Sequence, residues 1–85
     1  MRERRWAADA WADYLYWQKH DTGLCARIDR LLASIDGAPE NGLGKSKPLR
    51  GEMAGWWSRR ITLEHRLVYR VDAKAIYVLQ CRYHY

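Results

Sequence analysis

Apolar positions along the chain follow two different rhythms. As far as Ile35 they recur at helical spacing, and beyond Trp56 they crowd into short β-branched and aromatic runs. Leu24, Ile28, Leu31, Leu32 and Ile35 fall at i, i+4, i+7, i+8 and i+11, the core-facing stripe of an α-helix. An earlier helix is predicted over Ala10–His20, with Asp9 as its N-cap and Trp11, Tyr14, Leu15 and Trp17 along one side. Asp21-Thr22-Gly23 separates the two. Ahead of both, Glu3–Trp6 reads as a short edge strand, where charged residues discourage unwanted pairing.

Asp36–Gly55 breaks the rhythm. It holds five of the six glycines and both prolines, which predicts loop with at most one short strand near Lys47–Arg50. Strands are then expected over Trp56–Ile61, Arg66–Val71 and Ala75–Arg82, separated by short polar turns. The order (β)-α-α-β-β-β-β predicts an α+β fold: two N-terminal helices on one side of a twisted antiparallel sheet, a single domain over residues 1–85. In the second of those strands Leu67, Tyr69 and Val71 point one way while Arg66, Val68 and Arg70 point the other. If the last strand stays regular, Gln80, Arg82 and His84 share a face, and the side away from the helices is lined by Arg66, Arg70, Arg82 and His84.

Charge sharpens this picture. The formal net charge is +5, yet residues 1–40 carry six Lys/Arg against seven Asp/Glu and residues 41–85 carry nine against three. An excess gathered in one half is the signature of a polyanion partner, or else of a solvated basic face. No apolar run approaches the roughly 20 residues of a membrane helix, and Met1–Trp6 lacks the apolar stretch of a signal peptide. A cytoplasmic protein with no membrane association is expected. Cys25 and Cys81 form no CxxC pair and read as buried thiols. His20, His65 and His84 have no metal-ligand spacing.

The chain stops on Cys81-Arg82-Tyr83-His84-Tyr85, although chain ends tend to be small and polar unless something ties them down. With "DYLYWQ" (Asp13–Gln18), "GWWSRRI" (Gly55–Ile61) and "EHRLVYRV" (Glu64–Val71), this "CRYHY" end resembles the YoeB (Txe/YoeB) toxins of the RelE/ParE toxin–antitoxin superfamily. The resemblance covers nearly the whole chain in order. It implies an endoribonuclease that cuts mRNA in the ribosomal A site without a metal or other cofactor. It also implies a cognate YefM-like antitoxin that wraps a partly disordered segment around the toxin, and a homodimer in some settings.

Such cleavage needs a base for the ribose 2′-OH, cations for the transition-state charge and an acid for the departing 5′-oxygen. By resemblance Arg66 clamps the scissile phosphate, a task suited to a planar guanidinium. His84 is the general acid, and Tyr85 positions base or phosphate. Arg50 and Arg60 match backbone-contacting positions of the family. Lys45 stands with Lys47 and Arg50 on flexible backbone, and Arg82 extends the basic surface. One position departs from the family segment Lys-Pro-Glu-Pro-Leu, whose glutamate is the proposed base: this chain reads Lys45-Ser46-Lys47-Pro48-Leu49. Either Lys47 acts as the base, a role favoured by crowding with Lys45, Arg50 and Arg66; or it stabilises phosphate charge while His84 or the terminal carboxylate takes the proton; or the protein binds and cuts weakly. Glu52 and Glu64 read as solvated loop and turn residues. Of Trp56 and Trp57, adjacent and therefore opposed in a strand, one belongs to the core and the other to an interface or a base-stacking position. A ParE-like gyrase inhibitor and a non-catalytic RNA- or ribosome-binding module are the competing readings.

Overall fold

The predicted stripe of the second helix is the floor of the core. The computed structural model describes residues 2–83, and in it helix α2 spans Thr22–Gly37 with Leu24, Ile28, Leu31, Leu32 and Ile35 all buried. Helix α1 spans Ala8–His20. Asp21 joins the two: its N–H donates to the Trp17 carbonyl at 2.8 Å, and its carboxylate accepts from the Leu24 N–H at 3.0 Å, so it closes one helix and caps the next. The Tyr14 hydroxyl adds a cross-link to Asp29 Oδ1 at 2.7 Å.

Strand β1 (Glu3–Trp6) is present, followed by β2 (Lys47–Pro48), β3 (Trp57–Arg60), β4 (Arg66–Val71) and β5 (Ala75–Gln80). They form one sheet in the order β1-β5-β4-β3-β2. The sheet is mixed where an antiparallel one was expected: β1 runs parallel to β5, and the other neighbours are antiparallel. Four residues encode no direction of their own. The helical hairpin and the chain reversals that follow it fix how β1 lies against β5.

Three expectations shift with tertiary context. Helix α1 starts two residues early, with Ala7 as N-cap and Asp9 in its first turn. The Ala7 N–H donates to the Val78 carbonyl at 2.9 Å, so strand pairing sets the helix start. An acidic side chain in that turn still favours the helix dipole. The buried residues of α1 are Ala10 and Trp17, while Trp11 and Leu15 are exposed. Trp11 instead stacks on Tyr14 and meets Trp6 edge-on. Finally β5 ends at Gln80, short of Arg82.

Rows across the sheet assign its two faces. Pro48, Trp57, Tyr69, Val78 and Trp6 are successive partners in one row, and Trp57, Tyr69, Val78 and Trp6 belong to or pack against the helix-side core. The alternate row runs Lys47, Ser58, Val68, Gln80. An irregularity between Val68 and Tyr69 skips Leu79 on β5 and restores the alternation. Leu67 and Tyr69 face the helices as expected.

Candidate functional site

The alternate row carries the chemistry. Lys47 lies opposite Ser58, and Arg60 opposite Arg66, so Lys47, Ser58, Arg60 and Arg66 share the face turned away from the helices. Arg66 donates through Nε to the Ser58 hydroxyl, and Ser58 itself is fully buried. The guanidinium is thereby fixed to the sheet through Nε, and its two terminal nitrogens are oriented by that bond. Lys45, Lys47 and Arg50 are exposed on the neighbouring loop and edge strand, and Arg60 is half-buried. Among the described residues the ion pairs are Arg2 with Asp36 at 3.8 Å and Arg5 with Glu3 at 3.2 Å, so no described carboxylate pairs with this group.

A buried arginine holds the basic loop in place. Arg59, the neighbour of Arg60 on the core side, is wholly buried. Its Nε donates to the Tyr69 hydroxyl at 3.0 Å, Nη1 to Ser34 Oγ and the Leu43 carbonyl, and Nη2 to the Ala38 and Asn41 carbonyls. All five donors are used, which is how a buried guanidinium is accommodated without a carboxylate. The Tyr69 hydroxyl also donates to the Pro39 carbonyl at 2.8 Å and lies 3.2 Å from Ser46 Oγ. Gly44 completes the anchorage. Its φ is +87°, a Cβ there would lie 2.8 Å from Leu31 Cδ2 and 3.0 Å from the Arg60 carbonyl, and its own carbonyl accepts from the Arg60 N–H at 2.7 Å.

Cys81–Tyr83 are tied down, though not by the strand ladder. Past Gln80, the Cys81 carbonyl accepts from Trp17 Nε1 at 3.0 Å. The Gln80 amide donates to the Arg82 and Tyr83 carbonyls. The Arg66 N–H donates to the Tyr83 carbonyl at 3.0 Å, and the Tyr83 N–H donates to His65 Nδ1 at 2.7 Å. The last described peptide is therefore bonded directly to the residue that bears the Arg66 guanidinium. His84 and Tyr85 lie outside the described residues.

Arg82 departs from the expected shared face, because the strand has already ended. Its guanidinium stacks 3.9 Å over the Tyr16 ring and 4.9 Å over Tyr83, drawn toward α1. Asp13, half-buried beside it, has its carboxyl raised by burial, an effect that Arg82 opposes. Arg70 does occupy the expected face. It lies 5.4 Å from the Trp56 ring centroid and 4.7 Å from that of Tyr77, with Arg5 5.9 Å from Tyr77 on its other side. Trp57 packs against the core. Glu52 and Glu64 are exposed.

Both thiols are free and buried. Burial, chiefly, pushes the Cys81 thiol up to about 12, so it is a packing group and not a nucleophile. Among the described residues no three His, Cys, Asp or Glu side chains gather to hold a metal, and no helix is long and apolar enough to cross a membrane.

Sequence reasoning did not single out Ser58, Arg59, His65 or Tyr69. Ser58 and Arg59 lie inside a quoted motif, but only strand register shows that one faces Arg66 and the other the interior.

The comparisons with known proteins agree with this fold. Residues 6–85 match the family model of the YoeB-like toxin of bacterial type II toxin–antitoxin systems. The chain is 47% identical over 85 residues to the toxin YoeB of Mycobacterium bovis, covering 100% of both chains. It superposes on the YoeB dimer structure from Staphylococcus aureus with a TM-score of 0.94 at 40% identity, covering 99% of this chain and 98% of that one. The heterotetrameric YoeB–YefM toxin–antitoxin complex of the same organism gives 0.93 at 40% identity, covering 100% and 99%. The chain belongs to the YoeB-like toxins of bacterial type II toxin–antitoxin systems.

Proposed function

We propose that this toxin is an endoribonuclease acting on mRNA in the ribosomal A site, and therefore in the cytoplasm. The carrying observation is the face shared by Lys47, Ser58, Arg60 and Arg66: a cationic patch with no carboxylate ion pair among the described residues, bonded through the Arg66 N–H to the Tyr83 carbonyl.

In this reading the guanidinium of Arg66, oriented by Ser58, holds a non-bridging oxygen of the scissile phosphate. Arg60, Arg50 and Lys45 hold the flanking phosphates, and Arg82 meets the backbone farther along. Lys47 takes the proton of the ribose 2′-OH as the 2′-oxygen attacks phosphorus. The bond to the 5′-oxygen breaks, and that oxygen takes a proton from His84, with Tyr85 steadying the phosphate. The products are a 2′,3′-cyclic phosphate and a 5′-hydroxyl. Cations fixed before the reaction stabilise the developing charge at no reorganisation cost.

The partners proposed are the ribosome with its mRNA, a YefM-like antitoxin and a second copy of the chain. The last two draw on the complex and the dimer seen for the Staphylococcus relatives. A YefM-like segment would silence the toxin by covering the Arg66 face.

The test is incubation of purified protein with translating ribosomes, with cut sites mapped by primer extension. Cuts confined to A-site codons are expected. Tight ribosome binding without cuts would replace this reading with a binding module, and gyrase inhibition without cuts would replace it with a ParE-like activity.

A further inference from the structure

His65 is assigned no role by the cleavage scheme, yet its imidazole is the acceptor for the Tyr83 N–H at 2.7 Å. An imidazole accepts only through an unprotonated nitrogen, so Nδ1 carries the lone pair and the proton of the neutral ring resides on Nε2. The backbone of His65 is held by the turn, independently of Tyr83. The His65 carbonyl accepts from the N–H groups of Ile61 at 3.0 Å and Thr62 at 3.2 Å, and its own N–H donates to Thr62 Oγ1 at 3.2 Å. Its face meets Trp17 edge-on with centroids 4.8 Å apart and Tyr83 at 5.5 Å. The charged groups nearby are Asp13 and Arg82.

Tyr83 needs such a hold. Its φ is +60°, the left-handed region that non-glycine residues seldom enter without surrounding restraint. The restraint comes from two consecutive residues of β4 and its turn: His65 Nδ1 takes the N–H and the Arg66 N–H gives to the carbonyl. The residue that bears the guanidinium and its neighbour thus grip the backbone of one residue, Tyr83, through its N–H and its carbonyl.

We propose that His65 is a positioning residue. Its Nδ1 locks Tyr83 in the left-handed conformation and so fixes the backbone that pairs with Arg66, the residue that holds the phosphate in the cleavage scheme. This assignment rests on the ribonuclease reading for its catalytic consequence, whereas the grip itself is independent of any substrate.

Two measurements test it. The first is amide hydrogen exchange of Tyr83 in the isolated, folded protein. His65→Ala is expected to speed exchange at Tyr83 about tenfold or more, the loss of one net hydrogen bond. In His65→Asn, Oδ1 falls near the place of Nδ1 and protection is expected to persist; in His65→Gln, whose oxygen falls nearer the place of Nε2, it is expected to be lost. Equal protection in wild type and His65→Ala would overturn the proposal.

The second is the cleavage rate on saturating ribosome complexes against the half-saturating concentration. His65→Ala and His65→Gln are expected to lower the rate about tenfold with the half-saturating concentration within about twofold, and His65→Asn to restore it. Impairment of His65→Asn equal to that of His65→Ala would overturn the proposal and leave a packing role only. A wild-type protein that protects Tyr83 but cuts nothing would sink the ribonuclease reading, and the catalytic consequence with it, while the exchange data would still decide whether the grip exists.

Discussion

The hydroxyl of Ser58 accepts a hydrogen bond from Nε of Arg66, across two strands whose pairing places both side chains on the face opposite the helices. Because Ser58 is fully buried, Ser58→Ala leaves a charged N–H facing an apolar wall. Cleavage of ribosome-bound mRNA is expected to slow about tenfold or more, since a hydrogen bond to a charged group contributes about 1.5–3 kcal/mol. Ser58→Thr should retain most activity. Arg66→Lys should behave nearly like Arg66→Ala, because an ammonium offers no planar fork to Ser58 and the phosphate together. Single-turnover cleavage assays on these four variants check the arrangement, and an active Arg66→Lys would contradict it.

In the proposed cleavage scheme Lys47 is the proton acceptor, and it lies on an exposed edge strand. Removing a general base costs about 10²–10⁴ in rate. Lys47→Ala is therefore expected to lose at least about a hundredfold in cleavage while ribosome binding holds. Lys47→Glu replaces the amine by a carboxylate and should keep measurable cleavage, with the acid limb of its pH profile moved to lower pH. Full activity of Lys47→Ala would exclude the lysine as base and transfer that role to His84 or the terminal carboxylate.

Arg59 is a stability residue by the same standard. Arg59→Met strands the carbonyls of Ala38, Asn41 and Leu43 together with Ser34 Oγ. The expected loss is about 3 kcal/mol or more. For a domain of this size that corresponds to a fall in Tm of about 12 °C or more, measurable by calorimetry. A shift below about 4 °C would mean the loop is held by other contacts.

Asp72 sets an acid limb of stability. Its carboxyl is held below the ordinary range by the Lys74 and Ala75 N–H groups and the Tyr77 hydroxyl. A lowered folded-state value stabilises the fold above the unfolded value of about 3.9, and that support is lost as pH falls through the folded value below it. Thermal unfolding from neutral pH down to about pH 2 should show Asp72→Asn less stable at neutrality and converging with wild type at the acid end. Parallel curves would show that Asp72 has no part in the acid limb.

How much of this was legible beforehand depends on how local the cause is. The α2 stripe, the β4 boundaries and the glycine-rich segment were readable because each rests on residues close in sequence: helical periodicity, alternation in a strand, punctuation by glycine and proline. The charge gathered in the second half and the motif around Arg66 were readable for the same reason. The direction of β1, the early start of α1 and the end of β5 at Gln80 rest on partners far along the chain, such as the Ala7 N–H on Val78 and Trp17 on the Cys81 carbonyl. In "WSRRI" the two arginines are indistinguishable as text. Pairing with β4 buries Arg59 among five acceptors and turns Arg60 toward Arg66. The sequence by itself determined which basic side chains this protein has and the elements that carry them. Only the tertiary structure decided which face each one serves, because facing is a property of strand register and hydrogen bonds between distant residues, and no local pattern encodes either.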